Sequence, residues 1–329
     1  MHDTTWVEVD FHQPRRDEAL SASWNRFCEA VQYQTRYVFW LRRDEAEEEQ
    51  ARWTGEILAT HILDELGELI DDLGLLRPLP AGHRLWRARQ HPLPTIAWGA
   101  SDLGTAPRER ATQANRMSPA GIPMFYGAEN PETAIQEITV RASEKDKWVT
   151  VGAFETSQPS TVVDFTNLPA TPSMFDLERG YQRRPLLFLH KFVAQLSQPA
   201  RAQEYEQIDY VPTQIVTEYL LRIFAKGQPV AGLLYPSALT GDTSAVLDVP
   251  HDNCVDPAGP GWDDEKLRLV LVPGSLETKR VPHGRPTKLL GMIRGVRRGL
   301  EVVALQLGMR RRDHASGREG DADSEGHRR

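Results

Sequence analysis

Three side chains able to handle a charged, ring-bearing ligand fall within one stretch, Asn115 to Ile138 (NRMSPAGIPMFYGAENPETAIQEI). They are Arg116, Tyr126 and Glu137. A guanidinium offers paired donors to a phosphate group, a phenol ring offers a π-face, and a carboxylate offers strong acceptors. Brought together, they suit a ligand with both phosphate and aromatic parts. A plainer account fits the same spacing: a surface turn with an Arg–Glu ion pair and a core tyrosine, since exposed ion pairs are common and weak.

The surrounding residues dictate how the three would be held. Gly121 and Pro123 mark a turn after Arg116, because Gly allows positive φ and Pro fixes φ at a turn value. Met124 to Tyr126 is a short apolar run ended by Gly127 and reads as a strand. Asn130 is placed as a helix N-cap, with Pro131 at the first helical position and Ala134 and Ile138 facing inward. Glu137 then rides on the first helical turns, beside the end of the strand that carries Tyr126.

Composition bounds the rest. The chain has 329 residues, 26% charged and 40% hydrophobic, enough for one large domain or two smaller ones with buried cores. A formal net charge of −7 argues against broad nucleic-acid or membrane-surface binding. Cys28 and Cys254 belong to no zinc-ligand pattern, so neither a disulfide nor a metal is expected, and a reducing cytoplasm fits. His251 and Cys254 (HDNC) come nearest to a metal motif and read as accidental. The first residues, MHDTTWVEVD, lack a basic stretch followed by an apolar one, so no signal peptide is expected. No run reaches the length of a membrane span.

Before the central block, Asp17 to Leu41 and Asp44 to Leu73 each show apolar residues at three- and four-residue steps and read as two long helices of a separate helical module. His61 beside the second apolar stripe reads as a core or rim histidine. Pro78, Pro80 and Gly82 in RPLPAGH form a linker. HRLWRARQ follows as a short strand with Arg87 and Arg89 on one face. After the block, strands are expected at Lys147–Phe154, Thr161–Phe165, Val230–Tyr235, Ser244–Val249 and Leu267–Val272, the last closing the sheet. Helices are expected at Pro185–Leu196 and Pro212–Phe224. No GxGxxG or GxxxxGK[ST] occurs, so a mixed α+β sheet is predicted, without a doubly wound dinucleotide fold. Thr287 to Arg312 is basic, with Gly291, Gly295 and Gly299 at every fourth position, and residues from Asp313 onward have the composition of a disordered tail.

Five blocks, LWRAR (85–89), NRMSPAGIPMFYGAENPETAIQEI (115–138), VVDFT (162–166), DYVPTQIVTEYL (209–220) and LLYPSAL (233–239), resemble in order the motifs of the RES domain family. The helical N-terminal part is similar to the HEPN-like domain of longer members. The resemblance implies an ADP-ribosyltransferase-like fold over residues 83–283, an HEPN-like helical domain over 1–82 and a basic extension over 284–329. It implies NAD+ as substrate, no metal, and action as the toxin of a bacterial toxin–antitoxin pair, with a cognate antitoxin as partner. Homo-oligomer formation stays open, and nucleic acid is expected nowhere but at the basic 287–312 segment. Carried over by position, Arg116, Tyr126, Glu137 and Ser237 form the active site, with Arg87 as a further NAD-binding candidate beside Arg116, Tyr126 and Ser237.

Cleavage of the nicotinamide–ribose bond suits these residue types, because positive charge develops on the ribose and a carboxylate can stabilise it. Ser237 has no histidine partner nearby in sequence, which argues for hydrogen bonding over nucleophilic attack. Water as acceptor makes an NAD glycohydrolase, phosphate a phosphorolase, and a macromolecule an ADP-ribosyltransferase. A non-catalytic interaction module is the alternative from another class. An HEPN ribonuclease would need an Arg followed by four to six residues and a His, and Arg52 and His61 are too far apart.

Overall fold

The computed structural model describes residues 13–41, 44–94, 98–139, 147–199, 205–224, 229–257 and 267–281. The basic 287–312 segment and the tail after it lie outside the described residues. Three helices come first: α1 (Arg16–Tyr33), α2 (Glu45–Thr54) and α3 (Ile62–Asp72). Strands β1 (Leu76–Leu79) and β2 (Arg84–His91), helix α4 (Ala100–Leu103), strand β3 (Phe125–Ala128) and helix α5 (Pro131–Thr139) follow. Next are β4 (Trp148–Thr156), β5 (Ser160–Asp164), α6 (Arg183–Leu196), α7 (Glu206–Asp209) and α8 (Val211–Arg222). The described chain ends with β6 (Val230–Pro236), β7 (Thr243–Leu247), β8 (Cys254–Val255), β9 (Leu269–Leu271) and β10 (Glu277–Arg280).

The predicted mixed sheet is present. Its order is β1-β5-β6-β7-β3-β2-β4-β9-β8, with β10 also on β4, and β5–β6 and β8–β9 are its parallel pairs. Along the path β3 and β2 meet at one register position only, Trp86 opposite Ala128. By contrast, β2 pairs with β4 along its whole length. The sheet is therefore two tightly paired halves joined at a weak seam, and the seam is where the chemistry-bearing strands lie.

Alternation assigns the two faces. Trp86, Ala88, Tyr126, Ala128, Leu233, Tyr235 and Val246 project to one side, where α1, α3, α5, α6 and α8 cover them. Leu85, Phe125, Phe154, Leu234, Ala245 and Leu247 project to the other, under α4 and the segment around Cys254 and Leu269. The N-terminal helices share the first core: Trp24 of α1 meets Phe192 of α6 edge-to-face at 5.0 Å and donates to Gln195 Oε1 at 2.6 Å. Gly67 lets α3 close on α8, since a Cβ there would lie 2.8 Å from Tyr219 Oη and 2.9 Å from Phe224.

The two long N-terminal helices are shorter than their apolar periodicity predicts. α1 stops at Tyr33, where the Gln34 and Thr35 amides both donate back to Ala30 O, and Val38 is 53% exposed. The β-branched and aromatic run Thr35 to Trp40 holds a helix poorly. The second stretch breaks at Gly55, whose φ of 67° is the left-handed stop that ends α2. Asp44 starts α2 by accepting from the Ala46 and Glu47 amides at 3.0 and 3.3 Å. His61 is exposed, at the entry to α3. Part of the expected linker is strand: Pro78 sits in β1, which is tolerable because β1 is an edge. β9 does not close the sheet but lies between β4 and β8, and β10, exposed throughout, carries no apolar alternation to announce it.

Candidate active site

Asn130 caps α5 as its sequence requires, its Oδ1 accepting from Thr133 N at 2.8 Å. That cap sets the helix so that Thr133 and Glu137, one turn apart, face the loop after β6. Thr133 Oγ1 donates to Asp242 at 3.0 Å, and Ser237 Oγ donates to Glu137 Oε1 at 2.5 Å. The Ser237 oxygen in turn accepts from the Leu239 and Thr240 amides at 3.2 and 3.4 Å. Ser237, 3% exposed, therefore has its proton on the carboxylate and its lone pairs on the turn. A serine so engaged is held against Glu137 and fixes the orientation of that carboxylate.

Arg116 sits in the tight turn Asn115–Ser118, whose ends bridge to each other. Helix α8 holds this turn through its backbone: Thr213 Oγ1 donates to Arg116 O, and Gln214 Nε2 donates to Asn115 O at 2.8 Å. Tyr126 holds it from the sheet side. Its hydroxyl accepts from Met117 N at 3.2 Å and exchanges a hydrogen bond with Ser118 Oγ at 2.9 Å. Burial pushes the Tyr126 phenol up to about 12, against the pull of these bonds and of Arg87 and Arg116, so it stays neutral at ordinary pH. The Tyr126 hydroxyl is thus spent on the loop.

The Arg–Glu ion pair of the plainer account does not form. Glu137 is bonded to Ser237, and Arg116 Nε is buried without a hydrogen-bond partner. Tyr235, 6% exposed, has its phenol pushed up by burial and is within electrostatic reach of Arg116, Glu137, Tyr126 and Tyr210. Its cross-strand neighbour Ser244 also has a buried hydroxyl without a partner. Orphaned buried polar groups are rare in folded proteins, and these two lie near Tyr235.

Arg87 stands apart from this group. It projects from the opposite face of β2, where its Nε donates to Leu103 O at 2.7 Å and its Nη1 to Tyr126 O at 2.8 Å, with the guanidinium 5.1 Å from the Phe125 ring centroid. It ties the two sides of the seam together. Burial foremost, and then the nearby Arg89, lowers it to about 10, which leaves it charged at neutral pH.

A RES domain match covers residues 84–268, more than half of the chain. The chain belongs to the RES domain family. A match to the HEPN/RES N-terminal domain 1 covers residues 1–45, as in a long-form RES protein. No curated protein and no solved structure matches.

Within the RES domain, sequence reasoning missed Thr213, Gln214 and Tyr235. All lie in blocks that carry the family resemblance, but their work is done through main-chain carbonyls and burial, which residue type does not announce. The HDNC segment is structural: His251 Nδ1 bonds Thr105 O at 2.8 Å, and Cys254 Sγ accepts from Thr105 N at 3.3 Å. Asp164 of the VVDFT block shapes a turn, accepting from Thr166 N at 2.8 Å and pairing with Arg77 at 3.1 Å. Beside that pair is a cavity of about 360 Å³, away from Glu137, whose charges are already matched. Among the described residues no group of His, Cys, Asp and Glu is placed to hold a metal ion, and no helix is long and apolar enough to cross a membrane.

Proposed function

We propose that this RES protein binds NAD+ and cleaves its nicotinamide–ribose bond, with residues 83–283 as the catalytic part. The observation that carries the reading is a partly buried Arg116 whose Nε has no partner and a Ser237-held Glu137, both within electrostatic reach of Tyr235. Membership of the RES family is consistent with an NAD-related toxin.

In this reading Arg116 takes the diphosphate and the Tyr126 ring packs on the nicotinamide. Glu137 faces the ribose, with Ser237 fixing its orientation. As the bond from C1′ to the pyridinium nitrogen breaks, its electron pair neutralises the ring, and the positive charge left on the ribose is stabilised by the Glu137 carboxylate. Water attacks C1′ and loses a proton to solvent, giving ADP-ribose and free nicotinamide. A phosphate or a macromolecular nucleophile in place of water makes the same site a phosphorolase or an ADP-ribosyltransferase. In a cell the consequence is NAD+ depletion and growth arrest, relieved by a protein that covers the site.

The test is incubation of the purified chain with NAD+ and quantification of nicotinamide. Release by the wild type supports the reading. Absence of release from folded protein, with neither phosphate nor a candidate acceptor restoring it, overturns it.

A further inference from the structure

Glu137 shares with a second side chain of α5 the task of meeting the turn after β6. Thr133 lies four positions earlier, one helical turn away on the same face, and is fully buried. Its Oγ1 stands 3.0 Å from Asp242 Oδ2 and 3.0 Å from Thr240 Oγ1. Bonds from Asn130 and Thr133 hold the exposed Asp242 below the usual carboxylate range, so it is ionised at neutral pH. An ionised carboxylate only accepts. The single Thr133 proton therefore goes to Asp242, and Thr240 donates to Thr133. The Asp242 amide donates to Thr240 Oγ1 at 3.2 Å and closes the ring of three residues.

The same turn is wound around Ser237. Ser237 N donates to Asp242 O at 2.7 Å, Gly241 N donates to Ser237 O at 2.9 Å, and Ser237 Oγ accepts from the Leu239 and Thr240 amides. Gly241, at a φ of 80°, lets the chain close so tightly. Thr240 and Asp242 thus belong to the frame that carries the Ser237 hydroxyl, and Thr133 fastens that frame to α5 one turn before Glu137. The bond from Ser237 to Glu137 holds only while helix and turn keep their spacing. The Thr133 hydroxyl, with its proton on Asp242 and a lone pair on Thr240, is spent on keeping it.

We propose that Thr133 is a positioning residue for the reaction, holding the Ser237 turn against α5 through Thr240 and Asp242 so that the Glu137 carboxylate keeps its orientation. The catalytic consequence rests on the NAD+-cleaving reading above, whereas the latch between helix and turn does not.

The experiment combines steady-state nicotinamide release with amide hydrogen exchange, read by NMR on the full chain, for the wild type, Thr133→Val, Thr133→Ser and Ser23→Ala. Valine keeps the shape of the threonine without its hydroxyl, and serine restores the hydroxyl. Ser23, buried in α1 and bonded to Leu58 O at 2.9 Å, is the control, a buried hydroxyl lost away from the turn. In Thr133→Val the Leu239 and Thr240 amides exchange at least about tenfold faster. Its kcat falls about 10- to 100-fold with KM for NAD+ little changed. Thr133→Ser restores both, Ser23→Ala leaves both as in the wild type, and Thr133→Val adds no loss to Glu137→Gln. Unchanged exchange at these amides in Thr133→Val, a wild-type kcat in its folded fraction, or an equal response in Ser23→Ala overturns the proposal. Faster exchange in Thr133→Val, with no nicotinamide release by the wild type, sinks the NAD+-cleaving reading and leaves the latch standing.

Discussion

Replacing Ser237 by alanine separates two roles that its hydroxyl could play. The structure gives that hydroxyl three bonds: it donates to Glu137 at 2.5 Å and accepts from the Leu239 and Thr240 amides. Losing the bond to the carboxylate removes an interaction with a charged group, worth about 1.5–3 kcal/mol. If all of that is expressed in the transition state, kcat falls by about 10- to 150-fold. The turn amides lose their acceptor as well, a cost like that of a missing helix cap, about 1 kcal/mol and a few degrees of melting temperature. The assay is nicotinamide release at saturating NAD+, with Ser237→Ala, Glu137→Gln and the double variant compared and the melting point of each recorded. Because the serine acts through the glutamate, the double variant is no slower than Glu137→Gln alone. Complete loss in Ser237→Ala, with substantial activity left in Glu137→Gln, would refute this and make the serine a nucleophile.

Three other outcomes follow from the same geometry. Gln214→Leu removes the side-chain donor that ties the Asn115 carbonyl to α8 and loosens the Arg116 turn, so KM for NAD+ rises several-fold while kcat changes less, as steady-state kinetics would show. Tyr126→Phe changes the alkaline response. The buried phenol of the wild type keeps its proton to about 12, whereas an unfolded tyrosine loses it near pH 10. The folded state therefore has a stability advantage that is complete below pH 10 and is lost as pH rises toward 12, of order 3 kcal/mol; urea midpoints of the variant fall less steeply over that window. Gly55→Ala forces a side chain onto a φ of 67° and to within 3.1 Å of Gln13, costing about 1 kcal/mol, readable as a lowered urea midpoint.

The strand and helix that carry Tyr126 and Glu137 were legible because their signals are local: a short apolar run makes the strand, which continues through Gly127 to Ala128, and Asn130 with Pro131 starts the helix. The N-terminal helices were less so, since one glycine at position 55 overrides an apolar period that continues past it. Arg87 could be placed on a strand face but not on the correct side of the site. The face that holds Glu137 is fixed by the β2–β3 seam, a long-range pairing with no local mark. The Arg116–Glu137 pair was the wrong partnership for a similar reason, because Glu137's real partner lies one hundred positions further along the chain. Tyr235 looks in sequence like any strand aromatic. Only the folded chain brings it within reach of both charges.

The central claim rests on Glu137, and nicotinamide release by wild-type protein and by Glu137→Gln at matched melting temperature tests it most directly. The variant replaces a partly buried carboxylate by its isostere, so the fold is expected to persist while release drops by at least about a hundredfold. Equal rates in the two proteins, or a variant that unfolds while its folded fraction remains fully active, would contradict the account.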